Sequence, residues 1–258
     1  MKKNGEIKIE DGIFKPERRH CRIWKNFEVA IAIPCATQHS SSRFMKCLAN
    51  LVAFSWNYGL RVYQTATTER VVVDWARNNL AQWITENPNP YTGNKYTHVF
   101  WLDDDHVFNP DMACCLARHN LDMVGATYYA RVAKHTPVVY IKNPDPEVDK
   151  YGHYPLAEPP QEVFECDAIG FGAMLMKADV FAKVPKPWFT IDYRAGEDIA
   201  FCVHAKEAGV KVHCDGAYRM AHIGDPVLVD EAFSRQFRKD NPDMFGEMVR
   251  VKMMGERG

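Results

Sequence analysis

The sequence predicts an α/β protein built on a doubly wound, Rossmann-like mixed sheet, and three observations carry that expectation. From residue 27 to residue 102, apolar runs of strand length alternate with amphipathic runs of helix length. These runs stop at turn-forming or polar residues rather than merging. Apolar residues make up 47% of the 258, enough to cover both faces of a sheet, and the charged fraction of 25% is that of an ordinary folded domain.

Each element can be justified in order. FEVAIAI (27–33) is apolar, partly β-branched and followed by Pro34, the pattern of a buried strand running into a loop. Residues 40–56 can cap on serine and then place Phe44, Cys47, Leu48 and Leu51 at helical spacing. A second strand is expected at 61–67. A second helix follows at 71–84, with Val72, Ala76, Leu80 and Trp83 on its inner face. THVFWL (97–102) reads as a third buried strand.

In such a sheet ligands sit beyond the carboxyl ends of the strands. The loops at 34–37, 65–68 and 103–106 are therefore expected to converge on one crevice. Strands are expected again at 123–130, 137–142 and 210–216. Residues 143–160 read as a Pro-rich surface excursion. Residues 164–184 combine a Gly-rich turn, a strand and a short helix. Residues 197–209 form a helix with Ile199, Cys202 and Val203 inward and Gly209 as its stop.

This divides the chain into an N-terminal extension (1–26), one domain (27–229) and a polar tail (230–258). Within the domain, 27–110 holds the three crevice loops and is the expected ligand-binding half, and 111–229 is the second, more mixed half. The formal net charge of -1 gives no global field toward nucleic acid or membrane. MKKNGEIKIEDG resembles no targeting signal and no apolar run reaches membrane length, so a soluble cytoplasmic protein is expected. None of the eight cysteines forms a CxxC pair, and several lie in apolar segments, which favours reduced buried thiols.

Candidate chemistry begins with Asp103-Asp104-Asp105 at the end of a buried strand. Three adjacent carboxylates repel one another, and a hard divalent cation relieves that repulsion. In extended chain, alternate residues such as Asp103 and Asp105 share a face. The plain alternative is an acidic surface turn. Glu197-Asp198 opens a helix, where the dipole favours carboxylates. The pair can be a simple cap or can supply a general base. His222, in AHIGD, is either structural or a third metal ligand. Arg77 can brace the aspartates or face solvent on its helix. Gly170 and Gly172 in IGFGAM permit close backbone approach to a ligand.

The order of these pieces resembles the GT-A fold glycosyltransferases, and among them the small family-2-like enzymes of phage or bacterial type. The matching segments are AIPC, WARNNLA, THVFWLDDDHVFNPD, AIGFGAMLMKADVF, AGEDIAFCVHAKEAGVKVHCD and AHIGD, spread over about residues 27–224. The resemblance implies a DxD motif in which Asp103 meets the ribose or the metal shell and Asp105 binds Mn²⁺ or Mg²⁺, with His222 on the same ion. It implies Asp198, beside Glu197, as the base of an inverting reaction. Pro34, Cys35, Ala36, Thr37, Arg77, Asp103 and Asp104 become nucleotide contacts, and Gly170, Gly172 and Trp188 border the sugar and acceptor. The donor implied is a nucleotide-diphosphate sugar, most often a UDP-sugar. No QxxRW motif follows, which argues against a processive polymerase.

The acceptor implied is a glycan hydroxyl or, from the phage-like flavour, a hydroxymethylated pyrimidine in DNA. For DNA the phosphate contacts would come from Lys15, Arg18, Arg19, Arg22 and Lys25 and from the tail residues Arg235, Arg238, Lys239, Arg250, Lys252 and Arg257. Two rival readings share the acidic run. A nucleotidyltransferase would want a glycine-rich phosphate loop, which AIPCATQHSSSRF lacks. A non-catalytic nucleotide-sugar-binding module would have no need of aspartates, ED and AHIG together.

Overall fold

The computed structural model describes residues 24–35, 40–69, 71–131, 134–143, 152–191, 195–224 and 228–244. The first half alternates as expected: β1 (Val29–Cys35), α1 (Ser42–Asn57), β2 (Val62–Glu69), α2 (Val73–Glu86), β3 (His98–Leu102). There follow β4 (His106–Val107), α3 (Met112–Ala117), β5 (Met123–Thr127), β6 (Val139–Lys142), β7 (His153–Pro155), β8 (Val163–Cys166), β9 (Ala168–Ile169) and β10 (Ala173–Lys177). The chain continues through α4 (Val180–Lys183), α5 (Glu197–Glu207), β11 (Val212–Arg219), β12 (Ala221–Ile223), β13 (Leu228–Val229) and α6 (Glu231–Asp240).

Seven strands form the main sheet in the order β2-β1-β3-β10-β5-β11-β8. β1 runs parallel to both β2 and β3, while β10 is antiparallel to β3 and to β5. The sheet is therefore mixed, in the Rossmann-like, doubly wound manner expected. Alternation along β1 builds two cores, because successive side chains leave a strand on opposite faces. Ala30 and Ala32 join Leu80 and Ala81 of α2 and Phe201 and Cys202 of α5 on one face. Val29, Ile31 and Ile33 join Phe44, Leu48 and Leu51 of α1 and the buried residues of α3 on the other. Two small sheets, β13-β12-β4 and β7-β6-β9, decorate this frame.

Several expectations need correction. β1 runs through Pro34 to Cys35 instead of stopping before it. Its pairing with β3 ends at Ala32, so the missing Pro34 N–H breaks no ladder on that side. Residues 65–68 are not a loop but the end of β2, with Thr68 opposite Pro34. The inner face of α2 holds Ala76 and Leu80 as expected, with Trp83 partly buried against the core, but it also takes in Arg77, Ala81 and Ile84, while Val72 is 64% exposed. The buried residues of α5 are Glu197, Ala200, Phe201, Cys202 and Ala205, with Ile199 and Val203 only partly covered.

The described end of the 143–160 excursion is a strand, β7, laid antiparallel on β6. Ser41 caps α1 by accepting from the Arg43 amide, and Gly209 at φ +79° ends α5 as its sequence position implied. No disulfide joins two of the described cysteines. Among the described residues no helix is long and apolar enough to cross a membrane.

Candidate metal and catalytic site

β3 ends at Leu102 and the chain turns through Asp103, Asp104 and Asp105 before re-entering β4. The turn sends the three carboxylates to three partners. Asp103 receives Nη2 of Arg77 at 2.9 Å. Asp104 accepts from the Ser40 hydroxyl at 3.3 Å, at the approach to α1. Asp105 faces His106, His222 and Arg131. Asp103 and Asp105 thus do not share a face, because the run is a turn and not extended chain. The Asp103 amide is tied to the Gly172 carbonyl at 3.2 Å, which anchors the turn to the start of β10.

Asp105, His106 and His222 offer ligand atoms that all lie within 4.8 Å of one another. The backbone produces this meeting: β12 pairs antiparallel with β4, with His222 in register with His106, and the Ile223 amide donates to the Asp105 carbonyl at 2.7 Å. The two imidazoles stack at 4.3 Å between centroids, and Tyr128 meets both rings edge-on. His222 Nδ1 lies 2.9 Å from the Tyr129 carbonyl oxygen, which can only accept, so Nδ1 carries the proton. Nε2, the other ring nitrogen, then faces Asp105 Oδ2, 3.3 Å away. A backbone carbonyl orienting one imidazole nitrogen so that the other can ligate is the usual support of a metal-binding histidine.

His106 was not read from the sequence as a site residue. It is fully buried, and neither ring nitrogen has a hydrogen-bond partner among the described residues. Its Nδ1 sits 3.1 Å from Asp105 Oδ1, but out of line for a hydrogen bond. Burial alone would raise the Asp105 carboxyl. The two histidines outweigh it and hold that carboxyl far below the usual carboxylate range. Two imidazoles and an ionised carboxylate with unsatisfied buried donor atoms fit a divalent transition ion such as Mn²⁺. Asp103 lies outside this group.

Arg77 is the second centre of the site. It is 2% exposed, packed with its guanidinium carbon 5.5 Å from the ring centres of both Trp101 and Phe171. It donates from Nη2 to Asp103 and from Nε to Glu197 at 2.9 Å. Burial would lower its pKa, but the charges of Asp103 and Glu197 raise it above the free value. Glu197 is consequently committed to Arg77, while its neighbour Asp198 makes no side-chain ion pair with another described residue. Asp198 is half-buried and accepts from the Ile199 amide at 2.8 Å at the uncapped start of α5. Burial first, and then the charge of Glu197, push its carboxyl up to about 6, against the downward pull of Arg77. Its field also contributes to the raised pKa values of Tyr128 and Tyr140, whose larger cause is burial.

The other expected contacts divide. Cys35 is buried at the end of β1, its thiol donating to the Ile33 carbonyl at 3.8 Å. Asp104 is raised by burial and by Asp105. Pro34 lies beside Cys35 at the same strand end. Ala36 and Thr37 lie outside the described residues. Gly170 and Gly172 do permit close approach, but of side chains. A Cβ on Gly170 would stand 1.8 Å from the Tyr128 hydroxyl, and one on Gly172 2.6 Å from Cε1 of His106. Trp188 is a core residue, its indole N–H donating to the Phe181 carbonyl at 2.9 Å. Of the basic residues considered for DNA, Arg235 is paired with Glu231 and Glu158. Lys15, Arg18, Arg19, Arg22, Arg250, Lys252 and Arg257 lie outside the described residues.

No family model matches the chain, and no curated protein matches it in sequence. Solved structures do match in fold. The crystal structure of A197 from STIV covers 88% of this chain and 100% of its own, with a TM-score of 0.53 at 17% identity. That of GalNAc-T7 with UDP, GalNAc and Mn²⁺ has a TM-score of 0.45 at 11% identity, covering 77% of this chain and 44% of its own. At these identities the likeness concerns the fold alone.

Proposed function

We propose that the protein is a metal-dependent glycosyltransferase that moves a sugar from a nucleoside-diphosphate donor, in the first instance a UDP-sugar, to an acceptor hydroxyl. The observation that carries this reading is the pairing of two differently tuned carboxylates at one end of the sheet. Asp105 is held ionised among two histidines, and Asp198 is raised toward neutrality at the start of α5. Arg77 ties the two sides together through Asp103 and Glu197. Environments that push carboxylates apart in pKa assign them different work.

Asp105, His222 and His106 would hold the divalent ion, which supplies positive charge for a departing diphosphate. Asp103, fixed by Arg77, would meet the ribose side of the donor. Asp198 would accept the proton of the acceptor hydroxyl as its oxygen bonds to the anomeric carbon and the bond from that carbon to the phosphate oxygen breaks. Attack on the face opposite the leaving group inverts the sugar. The acceptor would be a glycan hydroxyl or a hydroxymethylated pyrimidine of DNA.

Incubation with a panel of nucleotide sugars and Mn²⁺ tests the proposal. Slow release of free sugar and nucleoside diphosphate from one donor, absent with chelator and absent in Asp105→Asn, supports it. Binding without any turnover, with or without a glycan or modified-DNA acceptor, would leave a binding module instead.

A further inference from the structure

Asp105 Oδ2 is a contested atom: it lies 2.9 Å from Nη1 of Arg131 and 3.3 Å from Nε2 of His222. Arg131 differs from Arg77 in every respect that governs mobility. Arg77 is buried between two rings and donates from Nε to Glu197 and from Nη2 to Asp103. The Arg131 side chain is 51% exposed, and its one ion pair among the described residues is with Asp105. Its root is nevertheless held. Tyr129 bridges Pro137, the Ala130 amide donates to the Thr136 carbonyl, and a ring nitrogen of His135 meets the Ala130 carbonyl at 2.9 Å. The guanidinium can turn while the backbone that carries it stays beside the site.

We propose that Arg131 is a diphosphate-binding residue that rests on Asp105 until metal arrives. This rests on the metal-site reading above. A divalent cation and a guanidinium on one carboxylate oxygen repel each other, so Arg131 must leave Asp105 when the metal binds. It is then a mobile cation next to a metal-bound anion, and its planar fork suits phosphate oxygens better than any other group nearby. Arg131 therefore opposes the metal and favours the diphosphate. A residue with a merely structural role would not shift the two affinities in opposite directions.

Titration calorimetry on the full chain separates the two effects, with Mn²⁺ alone as the first probe and inorganic pyrophosphate in saturating Mn²⁺ as the second. Arg131→Gln is expected to bind Mn²⁺ about three- to fivefold more tightly, as loss of a half-exposed ion pair allows. It is expected to bind pyrophosphate about tenfold more weakly, as loss of a charge-assisted hydrogen bond implies. Arg131→Lys, which keeps the charge and loses the fork, should fall between. Unchanged or weaker Mn²⁺ binding in Arg131→Gln overturns the competition. Unchanged pyrophosphate binding, or none in the parent protein, overturns the phosphate role. Asp105→Asn keeps these failures apart from failure of the metal site. If it abolishes Mn²⁺ binding while Arg131→Gln changes nothing, only the Arg131 inference falls. If it leaves Mn²⁺ binding intact, the metal site itself falls.

Discussion

Arg77 and Glu197 stand 120 residues apart in the chain and 2.9 Å apart in the fold. The same guanidinium holds Asp103, so a single buried charge joins the end of β3 to the beginning of α5.

Replacing Arg77 with methionine keeps much of the bulk between Trp101 and Phe171 but leaves two carboxylates without their cation. Breaking a buried pair in this way costs about 3–5 kcal/mol. Urea denaturation should show a loss of that order. A loss under about 1 kcal/mol would mean that the pairing is incidental.

Asp198 works as a base only when ionised, and its carboxyl sits at about 6. kcat/KM for transfer is therefore expected to rise with pH through about 6 and to level off above it. Asp198→Asn should lose transfer while retaining nucleotide binding. The raised value also has a stability consequence. The folded state holds this proton more tightly than the unfolded one, so the contribution of Asp198 to stability falls as pH rises from about 4 to about 6. At neutral pH the asparagine variant should melt no lower than the parent. A lower melting temperature would contradict the assignment.

Gly172 gives way to His106. An alanine methyl there would press on Cε1 and Nε2 of the imidazole, at 2.6 and 2.9 Å, and on Cζ of Tyr128 at 3.0 Å. Gly172→Ala should weaken Mn²⁺ binding, read by calorimetry, at a stability cost of about 1–3 kcal/mol. Undiminished Mn²⁺ affinity would remove His106 from the ligand set.

A ligand that binds only the folded state raises stability by about 2.7 kcal/mol at a hundred times its Kd. Mn²⁺ should accordingly raise the melting temperature of the parent protein. His222→Ala should shrink that rise and Asp105→Asn should remove it. An equal rise in all three proteins would place the ion elsewhere.

The periodic parts of the fold were legible because burial on both faces of a sheet leaves a local imprint. β1, α1, β2, α2 and β3 all fall within a few residues of their expected bounds. The misreadings have physical causes. Pro34 ends strands in general but lies within β1 here, where the pairing with β3 has already ended at Ala32 and only β2 runs alongside. Apolar spacing found Ala76 and Leu80 on the buried face of α2 but could not show that Arg77, a paired arginine, shares it.

Asp105, Asp198 and His222 could be picked out by residue type and position, since carboxylates after a buried strand or at a helix start are chemically conspicuous. His106 carried a weaker sign, its place between Asp105 and the apolar Val107, which puts it on a two-residue strand. Arg131 carried none. Its partnership with Asp105 depends on the β4–β12 pairing and the Tyr129–Pro137 bridge, which no local pattern encodes.

The antiparallel insertion of β10 also bears on how the molecule comes into being. The edge of β3 away from β1 is covered, residue for residue from Leu102 to His98, by a strand ending at Lys177. During synthesis the apolar segment HVFWL therefore waits for the 75 residues from Leu102 to Lys177 before that edge is paired. An uncovered apolar edge is a template for unwanted association. The two halves on either side of residue 110 are thus not separable pieces. The first acquires a partner for the free edge of β3, and a fixed aspartate turn, only when the ribosome has delivered β10 from the second.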